Sequence, residues 1–113
     1  MLRRACLILA CAALAGPGQA QTTLTLPLGG ATLAEVTYLC DRGALIEVDY
    51  LNAGDNRLAL LPIEGEQRIF VNVLAASGAR YVSGEYEWWS KGRSATLTNA
   101  MDPAASQSCI QTD

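Results

Sequence analysis

Histidine is absent from the 113 residues. Its absence excludes Ser-His-Asp and Cys-His catalytic arrangements and every histidine metal site. Charge is scarce, at 17% of residues, and tilts acidic: 8 Lys+Arg stand against 11 Asp+Glu, a formal net charge of −3. Nucleic-acid binding needs a basic patch, so this balance argues against a nucleic-acid partner. Long apolar runs are also missing. The longest, Ala5 through Ala15, is eleven residues, whereas a membrane-spanning helix needs about 20. The low charge does not signal disorder, because half of the chain is hydrophobic. The length fits one small domain.

The first twenty residues form a secretory signal. Arg3 and Arg4 give a positive start, Ala5–Ala15 an apolar centre, and Pro17 with Gly18 end it. Gly18-Gln19-Ala20 places small residues at −3 and −1, so cleavage is expected before Gln21. Residues 21–113 then form the single mature domain, free in the periplasm or secreted. A lipid anchor is the competing reading. Ile8-Leu9-Ala10-Cys11 looks like a lipobox with Cys11 as the lipidated residue, which would make an outer-membrane lipoprotein and the only link to a membrane. Loss of residues 1–20 removes two arginines and two cysteines. It leaves 93 residues, 6 basic against 11 acidic for a net charge of −5, and a single cysteine pair, Cys40 and Cys109. In an exported chain such a pair reads as one disulfide, with two free thiols as the alternative. A bridge across 69 positions would stabilise the fold by about 4 kcal/mol on the chain-entropy account. Two cysteines without histidine do not make an ordinary four-ligand zinc site.

The mature chain reads as short strands and tight turns. Residues 22–33 are an extended lead-in. From Glu35 the period is two: Val36, Tyr38 and Cys40 share a face, and Ile46, Val48 and Tyr50 point inward while Glu47 and Asp49 point outward. Residues 52–56 are a turn cluster. Apolar runs follow over 57–61 and 67–74, separated by a break at 62–66. Ser83-Gly84 is a two-residue hairpin turn, and residues 85–90 alternate, with Tyr86 and Trp88 on one face and Glu85, Glu87 and Trp89 on the other. Lys91-Gly92-Arg93 turns, 94–98 is a further strand, and 102–108 is loop-like. Tyr38, Tyr50, Tyr86 and Trp88 are expected in the core. About eight short strands without a helix imply an all-β sandwich or barrel, and closure removes the unpaired edges that a small sheet would expose.

Little here suggests catalysis. Glu85 and Glu87 on one strand face match the paired carboxylates of a glycosidase, but such a pair is usually a solvated face. Lys91 beside Gly92 and Ser77 beside Gly78 are each ordinary turn residues when taken alone.

Their combination is not ordinary. Ser77-Gly78-Ala79-Arg80-Tyr81, then Trp88-Trp89-Ser90-Lys91-Gly92 with Ala95-Thr96-Leu97, resembles the SGxxY and KGxxAxL motifs of the membrane-bound and periplasmic inhibitors of C-type lysozyme. Tyr38-Leu39-Cys40-Asp41 resembles that family's YxCD start, and Cys109 looks like its C-terminal disulfide partner. The resemblance runs over about residues 36–110. Trp88 departs from it, since the family often carries Tyr or Phe there.

The resemblance implies a small eight-stranded antiparallel β-barrel with one disulfide. It implies a non-enzymatic protein, without cofactor or metal, whose partner is a C-type lysozyme. A loop bearing Ser77 and Lys91 is expected to enter the lysozyme cleft, where two carboxylates cleave the glycan. An ammonium between those carboxylates is strongly attracted once water is excluded, and a serine hydroxyl donates to one of them. Gly78 and Gly92 give the backbone freedom for a protruding loop. Arg80 pairs either with lysozyme acids or with Glu85 on its own sheet. Tyr81 suits the interface rim or the barrel interior, with the interior favoured. Trp89, beside Lys91, is either an interface residue or half-buried support. A net charge of −5 would speed association with a basic lysozyme. The competing function is a non-inhibitory envelope domain that binds peptidoglycan fragments or wall-cleaving enzymes.

Overall fold

The computed structural model describes residues 22–112. The signal over residues 1–20, its cleavage before Gln21 and the Cys11 alternative lie outside the described residues. Eight strands run in order: β1 (Thr32–Cys40), β2 (Leu45–Ala53), β3 (Asn56–Ile63), β4 (Glu66–Val73), β5 (Ala79–Ser83), β6 (Tyr86–Lys91), β7 (Ser94–Asn99) and β8 (Gln107–Gln111). A single 3₁₀ turn, Pro103–Ala105, precedes β8. Each strand pairs antiparallel with the next, and β8 pairs back onto β1, so the sheet is a closed barrel.

Period-two alternation decides what each strand gives the interior. Val48, Ala59, Leu61, Phe70 and Trp88 are fully enclosed, with Tyr38, Tyr81 and Leu97 around them. Tyr38 and Trp88 meet edge to face with ring centroids 5.0 Å apart. Of the four aromatics expected inside, Tyr38 and Trp88 are buried, whereas Tyr50 and Tyr86 are half-buried against the same cluster. The polar atoms of Trp88, Tyr50 and Tyr38 are paired with one another. Trp88 Nε1–H donates to the Tyr50 hydroxyl at 2.8 Å, and the Tyr38 and Tyr50 hydroxyls share a 2.7 Å hydrogen bond. Burial, the largest influence on it, pushes the Tyr50 hydroxyl well above the usual tyrosine range, and Tyr81 moves the same way for the same reason.

The β1–β8 seam is short, with three register pairs, as many as β4–β5 and against eight for β1–β2. Cys40 and Cys109 are one of those three pairs and form a disulfide. The bridge therefore fastens the first strand to the last across a short seam.

Several boundaries differ from the sequence reading. Thr32 and Leu33 belong to β1 rather than to the lead-in. The break at 62–66 is only a Glu64-Gly65 turn, with both residues at positive φ, and Pro62 stays in β3, paired with Gln67 near the strand end where a missing N–H is tolerated. The turn cluster at 52–56 shrinks to Gly54-Asp55. The β5–β6 hairpin turns at Gly84-Glu85, not Ser83-Gly84, because Gly84 takes the positive φ that the first central position of such a hairpin requires. Glu85 thus sits in the turn and not on the face of β6.

Candidate functional site

Antiparallel alternation sends the 74–78 loop, the Gly92-Arg93 turn, the start of β1 and the end of β8 to one end of the barrel. The β5–β6 register pairs Ala79 with Ser90, Arg80 with Trp89 and Tyr81 with Trp88. Extended by two steps, it sets Gly78 beside Lys91 and Ser77 beside Gly92. Gly78 has φ +67°, and a Cβ on it would run into the Ser90 carbonyl and stand 2.6 Å from Lys91 Cγ. Only glycine lets the loop lie this close to β6. Gly92, at φ +55° in open space, is required for the turn's backbone and not for clearance.

Trp89 joins the two halves. Its Nε1–H donates to the Ser77 carbonyl oxygen at 2.9 Å, and the Lys91 ammonium lies 4.4 Å from its ring centroid. The first contact anchors the Ser77 backbone. The second rests the lysine on an aromatic face, an exposed cation–π contact worth about 0.5–1 kcal/mol. Ser77, Lys91 and Gly92 are all exposed, and Trp89 contacts both the Ser77 backbone and the Lys91 ammonium, so the two residues are presented at the same end of the barrel. A shallow groove of about 240 Å³ continues from there along the outer face of β6 and β7, lined by Glu87, Trp89, Lys91, Thr96 and Thr98.

Arg80 stands next to Trp89 on the same face. Its Nε–H donates to Glu87 Oε2 at 2.7 Å, and its backbone carbonyl accepts from Asn72 Nδ2 at 3.1 Å. The intrachain partner expected for it, Glu85, is instead 3.9 Å from Arg68. The hairpin turn explains the exchange, since it removes Glu85 from the β6 face and leaves Glu87 there. Tyr81 is buried at 4% exposure and stacks obliquely on Tyr50. It belongs to the interior, and its bearing on the site is to hold β5 in place. Residue-type reasoning did not foresee the Trp89–Ser77 bond or the Arg80–Glu87 pair, because both depend on register.

Among the described residues, one trio brings three carboxylates within 4.8 Å of one another: Glu35, Glu47 and Asp49 on the outside of β1–β2. It shares no residue with the site.

Residues 38–106 match the family model described as membrane-bound lysozyme-inhibitor of c-type lysozyme. A membrane-bound lysozyme inhibitor of C-type lysozyme from Pseudomonas aeruginosa is 49% identical over 63 residues, 55% of this chain and 50% of that protein. Its counterpart from Cupriavidus necator is 46% identical over 66 residues, 58% of this chain and 53% of that one. The chain thus spans about half the length of these curated relatives. The crystal structure of Pseudomonas aeruginosa MliC in complex with hen egg white lysozyme superposes with a TM-score of 0.72 at 40% identity, covering 84% of this chain and all of that one.

Proposed function

The chain belongs to the family of membrane-bound inhibitors of C-type lysozyme, and from that premise we propose that it inhibits a C-type lysozyme by inserting the Ser77–Lys91 end of the barrel into the lysozyme cleft. The observation that carries this reading is the joint presentation of Ser77 and Lys91 by Trp89. A related barrel held in complex with hen egg white lysozyme supports the partner.

The mechanism follows from charge and exclusion of water. In the free protein the Lys91 ammonium rests on Trp89. In the cleft it would meet the two carboxylates that cleave the glycan, and a unit-charge attraction at 4 Å rises from about 1 kcal/mol in water to about 4 kcal/mol at an effective dielectric of 20. That gain exceeds the cation–π contact it gives up. The Ser77 hydroxyl supplies a donor and an acceptor beside it. No bond is made or broken, so the protein is not an enzyme and uses no cofactor. The Arg80–Glu87 pair engages one of the two glutamates that a glycosidase would need free. The relatives' description as membrane-bound supports a place in the cell envelope, either as a free periplasmic protein or anchored through Cys11.

The test is lysozyme clearing of cell-wall suspensions with the chain from Gln21 onward, wild type beside Lys91→Ala. Dose-dependent protection lost in the variant is expected. Protection that survives in Lys91→Ala moves the site elsewhere, and no protection by a folded, oxidised wild type sinks the inhibitor reading in favour of an envelope-binding domain.

A further inference from the structure

Two cations share the ring of Trp89. The Lys91 ammonium lies 4.4 Å from its centroid and the Arg80 guanidinium carbon 6.0 Å. The register explains the crowding. Arg80 is the partner of Trp89 across β5–β6, and Lys91 is the next outward residue along β6. On the β7 side the partner is Thr96, which has no charge to offset either cation. An aromatic face attracts each cation, and like charges repel, so the two compete for one ring.

One carboxylate decides between them. Glu87 is the outward residue before Trp89 on β6. It stands diagonally across from Arg80, within reach of a long side chain. Its Oε2 accepts from Arg80 Nε–H at 2.7 Å, a short charge-assisted bond. The pair is half-buried, so solvent and salt screen it less than a fully exposed one. Lys91 is four positions further along the same strand, about 13 Å at the rise of a β-strand. Among the described residues it has no ion-pair partner. Glu87 therefore neutralises Arg80 and leaves the charge of Lys91 uncompensated.

We propose that Glu87 is a positioning residue of the inhibitory end: it holds Arg80 away from the centre of the Trp89 ring, so that the ring and the lysozyme cleft are left to Lys91. Its effect on lysozyme rests on the inhibitor reading, but the placement of Lys91 is measurable without a partner. Once the Glu87 carboxylate is removed, the Arg80 guanidinium keeps its charge and loses its acceptor while still beside the indole. Guanidinium stacks readily on aromatic faces. Arg80 then moves onto Trp89 and displaces Lys91, and the ammonium loses the support that presents it at the end carrying Ser77. Glu87 acts through Arg80 and Trp89 and not on lysozyme itself.

The test is a double-mutant cycle on the chain from Gln21 onward: Glu87→Thr, Arg80→Gln and both together. Lysozyme clearing and NMR of the Lys91 side chain are the two readouts. Threonine suits a strand and removes the carboxylate. In wild type the ring current of Trp89 should shift the Lys91 methylene protons upfield. Glu87→Thr should reduce that shift and weaken inhibition about fivefold, the worth of an exposed cation–π contact. Adding Arg80→Gln should restore the shift and recover most of the inhibition, because the competing cation is gone. A pair that merely braced β5 against β6 gives a different pattern. Each single variant then loses inhibition to the same extent, and the double variant recovers nothing. That pattern overturns the proposal, as does an unchanged Lys91 shift in Glu87→Thr. Stronger inhibition by Glu87→Thr overturns it too, because Arg80 is then a ligand of the cleft in its own right. If wild type itself does not inhibit, the inhibitor reading fails, and the Lys91 shift alone decides whether Glu87 positions Lys91.

Discussion

Trp88 and Trp89 are neighbours in the chain and serve opposite sides of one wall. The inner side of β6 holds Trp88, enclosed against Tyr38 and hydrogen-bonded to Tyr50. The outer side holds Trp89, which carries Lys91 on its ring and Ser77 on its N–H. Alternation along a single strand therefore separates what keeps the barrel together from what it presents. Identical chemical changes one residue apart should have unlike consequences.

The largest expected effect tests that separation directly. Trp88→Ala removes an enclosed indole and strands the Tyr50 hydroxyl, and should cost about 3–5 kcal/mol of stability. Trp89→Ala should cost little stability and lose inhibition instead. Denaturant melts beside lysozyme clearing would read both. Equal destabilisation by the two alanines would break the comparison. Lys91→Ala follows in size. A buried charge at the centre of an interface is a hot spot worth about 2 kcal/mol or more, about 30-fold in affinity, with an unchanged melt. Trp89→Phe is finer. It keeps an aromatic face beneath Lys91 but deletes the donor to Ser77, so a loss of about 1 kcal/mol, about fivefold in affinity, is expected. Wild-type affinity in Trp89→Phe would mean that the Ser77 anchor contributes nothing to binding.

The fold was largely legible because alternation is a strong signal. Tyr38, Ile46, Val48 and Trp88 fell on the inner face by period alone, and the even cysteine pair became the disulfide at the seam. Phe70 was harder, because Ile69, Phe70 and Val71 are all apolar and no alternation shows which one faces in. The outward Ile69 and Val71 are instead exposed to solvent. The site was legible as a set of residues but not as an arrangement. A hairpin turn at Ser83-Gly84 would set Arg80 opposite Glu87. The turn at Gly84-Glu85 sets it opposite Trp89 and brings Lys91 level with Gly78. A one-residue difference in turn position thus moves every cross-strand neighbour by two. Sequence periodicity fixes the face of each residue but not its partner across the hairpin.

The smallest expected effect comes from pH and acts on the inner side alone. Tyr50 and Tyr81 are both held above the ordinary tyrosine range by burial. A folded-state value above the unfolded one means that the native barrel keeps a proton that the unfolded chain releases. Stability from that proton is fully present below the unfolded value near pH 10 and is lost as pH rises beyond it. At pH 10 Tyr50 should cost about 0.4 kcal/mol relative to neutrality, steepening toward about 1.4 kcal/mol per further pH unit, and Tyr81 acts in the same direction. Denaturant melts between pH 8 and 11, paired with tyrosinate absorbance, would follow this. Absorbance should lag behind that of the denatured chain while the melting midpoint falls. A midpoint that holds steady through pH 11 would show that the Trp88–Tyr50–Tyr38 contacts do not exclude water as their burial requires. The inner side of β6 would then resemble the outer side more than the packing around Trp88 indicates.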